Sequence, residues 1–194
     1  MTMRDRFALT VAGAALFGLA AGVVHGNDGG LRAAVGNLSA PWLLVALIPA
    51  WWSGSAVRGA VLGTSATVVA LVGFYVGLTA VMYGHLGATH GIIRSFEFVL
   101  RANRIWFAAG LMSGPLCGAV AGTLGVRLSP AWLVAVLGVL FVGEIVVVVG
   151  FESVRLPVLH IRWGASDLRG YLAEAALGLL TLAVLAVRRL RTAR

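Results

Sequence analysis

Arg94-Ser-Phe-Glu-Phe-Val-Leu-Arg101-Ala-Asn-Arg104-Ile-Trp106 leads directly into Phe107-Ala-Ala-Gly-Leu-Met-Ser-Gly-Pro-Leu-Cys-Gly-Ala-Val-Ala-Gly122. The charges at 94, 97, 101 and 104 follow a 3-4-3 spacing, which places all four on one face of a helix. Ser95 suits the N-cap, and Glu97 can pair with Arg101 one turn later. Gly110, Gly114, Gly118 and Gly122 then recur at every fourth position. The stretch therefore predicts one helix with a charged head and a smooth glycine body suited to close packing in lipid.

The whole chain agrees with a membrane setting. Of its 194 residues 60% are hydrophobic, and its mean hydropathy is +0.96, more apolar surface than a soluble domain of this size can bury. Six apolar runs, 7–25, 38–53, 56–83, 104–125, 130–151 and 168–187, come close to the length needed for a hydrocarbon core of about 30 Å. The expected fold is all-α: a polytopic transmembrane bundle of six helices, a single domain over 1–194. The first run has the charge and hydropathy of a signal peptide, but five more follow it, so an uncleaved span is expected. Pro49 should end or kink the second run near Trp51 and Trp52. The third run exceeds the length needed, with Gly59/Gly63 and Gly73/Gly77 as its expected weak points. Trp42, Trp51, Trp52, Trp106, Trp132 and Trp163 all fall near run ends, as an aromatic belt requires.

Leu38-Ser-Ala-Pro-Trp-Leu-Leu-Val-Ala-Leu47 and Leu128-Ser-Pro-Ala-Trp-Leu-Val-Ala-Val-Leu137 open the second and fifth runs and match at five of ten positions. That likeness permits two inverted three-helix repeats, an arrangement common in transporters. Six crossings place both termini on one side. The dense Arg188–Arg194 tail and the short loops beside it favour a multi-pass protein of the cell membrane with cytoplasmic termini.

All fifteen basic residues are arginine, and they are scattered over loops rather than gathered on one face, so the net charge of +8 does not point to nucleic acid. Cys117 is the single cysteine, which rules out an internal disulfide. His85 and His90 lie five apart and His160 in the next outer loop, a spacing that matches no tight metal set. Asn27-Asp-Gly-Gly30 reads as a turn. No phosphate-binding glycine loop and no nucleophile motif is present, so neither an enzyme nor a cofactor is expected.

Polar residues concentrate on the side away from the termini, and Glu144 and Glu174 lie inside runs, in the half nearer that side. A carboxylate there is costly, by about 2.5–3.5 kcal/mol at a helix centre on insertion scales, so it should face a partner or water. Glu174 shares a face with Asp167, Gly170, Tyr171, Gly178 and Thr181, whereas the face-mates of Glu144 are apolar. Arg101 and Arg104 are the expected partners of Glu144. Glu97, Arg101, Arg104, Glu144, Tyr171 and Glu174 form the candidate ligand-binding set, a polar pocket opening to the outer face. The leading expectation is a small-solute binding or transport subunit. A structural or assembly membrane protein with no ligand, its charges serving helix packing, is the alternative.

At Gly36-Asn-Leu-Ser-Ala-Pro-Trp-Leu-Leu-Val-Ala46, at Arg104-Ile-Trp106 and at Gly114-Pro-Leu-Cys-Gly118 the chain resembles a family of small, uncharacterised bacterial integral membrane proteins, a domain of unknown function. That resemblance spans most of the chain and implies no activity. In architecture the chain is also similar to the substrate-binding S components of energy-coupling-factor vitamin transporters. This second likeness implies six helices, a pocket opening outward and a first helix docking on a partner through small residues, here Ala14, Gly18 and Gly22. Partners expected besides the lipid bilayer are thus another membrane subunit packing on Gly18, Gly22 or the Gly110–Gly122 ladder.

Overall fold

A computed structural model describes residues 3–26, 38–86, 91–102, 104–152 and 168–192, and every regular element within them is helical. In chain order these are α1 (Met3–His25), α2 (Ser39–Trp51), α3 (Ala56–Leu86), α4 (Gly91–Ala102), α5 (Arg104–Arg127), α6 (Pro130–Glu152) and α7 (Arg169–Thr192). Five of them, α1, α3, α5, α6 and α7, are long and apolar enough to cross a membrane. The 13 residues of α2 rise only about 20 Å, short of a hydrocarbon core of about 30 Å. The Asn27–Gly30 turn, His90, His160, Trp163 and Asp167 lie outside the described residues.

α3 is the axis of the bundle. Its 31 residues carry two glycine pairs, and each pair receives a different neighbour. Gly73 and Gly77 meet Ala15 and Leu19 of α1, which runs parallel to α3. Gly59 and Gly63 meet Gly118 and Gly114 of α5, which runs antiparallel. These glycines are not breaks in α3. They let backbones approach so closely that an added Cβ would collide with a facing main-chain carbonyl, and in lipid such close van der Waals contact is what holds helices together.

The small residues of the partner helices are engaged in the same contacts. A Cβ at Gly18 would strike the Ala70 carbonyl, one at Gly22 the Phe74 carbonyl, and Ala14 is buried beside Ala66 and Ala70. Gly110, Gly114, Gly118 and Gly122 face Leu71, Thr67, Gly59 and Ser55 in turn. A second subunit docking through either ladder would have to displace α3 or the turn before it.

α2 fills the space that α1, α3, α5 and α6 leave, and its Leu47, Ala50 and Trp51 pack with Ala121 of α5 and Leu133 of α6. It ends at Trp51 with Pro49 in its last turn. Trp42 and Trp51 are packing residues: Trp42 stands edge-on to Phe17 and Phe74, and Trp51 is buried. Trp52, Trp106 and Trp132 are exposed, as a belt requires.

The charged head lies on α4 and the glycine body on α5, the described residues on either side of position 103. α4 begins at Gly91, whose φ of 67° suits glycine, and lays Val99 against Tyr75 and Leu78 of α3. Ser95 is not a cap. It lies buried in the second turn, its hydroxyl donating to the Gly91 carbonyl at 3.3 Å. Arg94, Glu97 and Arg101 do share one face, and that face points away from the bundle.

α6 and α7 form an antiparallel pair joined to the rest chiefly through α2. Gly138 meets Gly178 and Leu182 at one level, and Val148 packs on Tyr171 at another. Two equivalent three-helix units do not emerge. α1 packs extensively along α3, whereas among the described residues α5 and α7, their counterparts, share no comparable contact. The Leu38 and Leu128 segments nonetheless open helices of opposite direction, α2 and α6, which pack on each other.

Candidate functional site

The N-terminus of α2 has no local cap. Leu38 precedes it and offers no side-chain acceptor, so the first N–H groups of the helix need partners from elsewhere. Pro41 has no N–H. The other two residues of the turn are served by one side chain from α6: Ala40 N–H donates to Glu144 Oε2 at 2.6 Å, and Ser39 N–H donates to Glu144 Oε1. The positive end of the helix dipole faces the same carboxylate. Glu144 is thereby buried yet well compensated.

Glu174 stands opposite. Val148 meets Tyr171 one turn beyond Glu144, and Phe141 meets Gly178 about one turn before it, which brings Glu174 level with Glu144 between the two contacts. Glu174 is 6% exposed, and neither of its oxygens finds a hydrogen-bond donor among the described residues. The Glu144 carboxyl nevertheless lies alongside. Two ionised carboxyls have no proton to offer each other; once one is protonated, the same contact becomes a hydrogen bond. Tyr171, also buried, is within electrostatic reach of both. Arg169, at the start of α7, is exposed.

The six residues singled out in the sequence thus divide into two groups. Glu144, Glu174 and Tyr171 come together between α6 and α7 at the head of α2. Glu97 and Arg101 pair with each other at 2.5 Å on the outward face of α4, and Arg104 is exposed at the start of α5. Arg101 and Arg104 are not the partners of Glu144; the main chain of α2 takes that place. Main-chain donors carry no residue signature, so their role could be inferred from the sequence only through Leu38, a helix start lacking a capping side chain. Among the described residues no three His, Cys, Asp or Glu side chains gather as metal ligands.

The opposite end of the bundle is basic. Arg6 donates from Nη1 to the Trp52 carbonyl at 2.9 Å, and the Arg189 guanidinium lies 5.0 Å above the Trp132 ring. Arg58 and Arg127, near the adjoining ends of α3 and α5, are exposed at the same level. Comparison of the chain with protein-family models, with curated proteins and with solved structures finds no match.

Proposed function

We propose that this chain is a multi-pass membrane protein of six crossings, α2 being the short one, and that it binds a small monovalent cation at the Glu144–Glu174 pair. The proton is the simplest such cation and sodium the next. Its role would be that of a small-solute binding or transport subunit. One observation carries the reading: Glu174 is enclosed, has no donor among the described residues, and faces a second carboxyl whose charge α2 already compensates. A second anion in that position has no hydrogen-bonding counter-charge among the described residues, and a bound cation supplies one. Cytoplasmic termini are supported by Arg6, Arg58, Arg127 and Arg189 standing at one end, with the carboxyl pair toward the other.

Carbodiimide labelling tests this reading, because the reagent adds to protonated carboxyl groups in apolar surroundings. Purified protein is treated across a pH series, with and without sodium, and the adduct is mapped by mass spectrometry. An adduct at Glu174 that is absent in Glu174→Gln and fades as pH rises supports proton binding. Additional protection by sodium assigns the site to the metal cation. Failure to label Glu174 at any pH, while other carboxyls in the chain react, overturns the proposal.

Glu144 favours a structural reading for its own half of the pair, since it caps a helix 104 residues away in sequence. The two carboxyls then have different tasks: one holds α2, the other holds the cation.

A further inference from the structure

α1 and α2 touch only sparingly, and a groove of about 490 Å³ runs between them. Leu9, Gly13 and Phe17 line one side, and Leu44, Ile48 and Pro49 the other. Thr10 also borders it, but its hydroxyl donates to the Arg6 carbonyl at 2.8 Å, so the wall presents no free polar group there. Phe17, edge-on to Trp42, stands at the far end, and Arg6 stands at the mouth.

The dimensions restrict the occupant. From Arg6 to Phe17 a helix rises about 16 Å, roughly half a hydrocarbon core and so the depth of one leaflet. A single extended hydrocarbon chain is narrow enough. The charge at the mouth is fixed as well: the Trp52 carbonyl anchors Arg6 through Nη1 and leaves its other N–H groups for an acceptor.

We infer that this groove is a phospholipid site, holding one acyl chain from the leaflet at the basic end with the lipid phosphate on the Arg6 guanidinium. An anionic headgroup is preferred because the groove's lining includes Arg6 and no acidic side chain. The inference rests on the groove and the arginine, and is independent of the carboxyl pair.

Native mass spectrometry of the protein in mild detergent, supplied with equal phosphatidylglycerol and phosphatidylethanolamine, tests it. Wild type is expected to retain one phospholipid with several-fold enrichment of phosphatidylglycerol. Gly13→Phe fills the groove from a position where an added Cβ meets nothing within 4 Å, so the protein should fold and lose the lipid. Arg6→Gln should keep a lipid and lose the headgroup preference. Equal retention by wild type and a folded Gly13→Phe, no lipid on wild type, or an unchanged preference in Arg6→Gln would overturn the inference.

Discussion

Ala40 donates its main-chain N–H to the Glu144 carboxylate at 2.6 Å, joining residues 104 apart in the chain and tying α2 to α6. α2 has no side-chain cap of its own, so the α6 carboxylate replaces one. Glu144→Leu should leave two main-chain donors unsatisfied and destabilise the protein by about 2–4 kcal/mol. Glu144→Gln keeps an acceptor and should lose about half as much. Thermal or denaturant unfolding in detergent reads both, and equal stability of wild type and Glu144→Leu would contradict the capping role.

Glu174 should behave in the opposite sense. It has no donor among the described residues, so replacing it with Leu removes a buried polar group without orphaning any of them. Glu174→Leu is expected to be neutral or to stabilise by about 1–2 kcal/mol, while abolishing cation-sensitive labelling. The same unfolding assay checks it. A loss of stability like that of Glu144→Leu would mean that Glu174 is a packing residue.

Glycine contacts of α3 with its neighbours should be intolerant at the contact and tolerant elsewhere. Gly118→Ala drives a Cβ into the Gly59 carbonyl and should cost about 1–3 kcal/mol. Gly13→Ala meets open space and should be neutral or gain up to about 1 kcal/mol from helix propensity. Comparing the unfolding midpoints of these two variants is enough.

The Glu97–Arg101 pair lies on an exposed helix face, where ion pairs contribute little. Glu97→Gln and Arg101→Gln should each shift stability by less than about 0.5 kcal/mol and leave labelling of Glu174 unchanged. A changed labelling profile in Arg101→Gln would place that arginine nearer the carboxyl pair than its position on α4 allows.

Orientation has its own test. In a Cys117→Ser background, Thr192→Cys should react with a membrane-impermeant thiol reagent only from the cytoplasmic side, and Ile93→Cys only from the outside. Ile93 is 80% exposed on α4, so a cysteine there is not shielded by the protein. Reversed labelling would invert the topology.

Hydropathy located nearly every helix. The runs 104–125, 130–151 and 168–187 became α5 (Arg104–Arg127), α6 (Pro130–Glu152) and α7 (Arg169–Thr192), because span length and apolar composition are properties of contiguous residues. The glycine ladders, the Glu97–Arg101 pair and the stop after Pro49 were legible for the same reason. Each depends on neighbours a few positions away.

Which faces meet is a different matter, because it depends on helices far apart in the chain. The four-residue spacing of Gly18 and Gly22 marks a close contact but does not name α3 as the partner. The charges of α4 line up on one face, yet only the docking of Val99 against Tyr75 decides that this face looks outward. Glu144 required a compensating group at its depth, and residue types suggested arginine. Burial penalises an unpaired charge whatever the chemistry of its partner, so the requirement was local while the answer, the first N–H groups of α2, came only from packing.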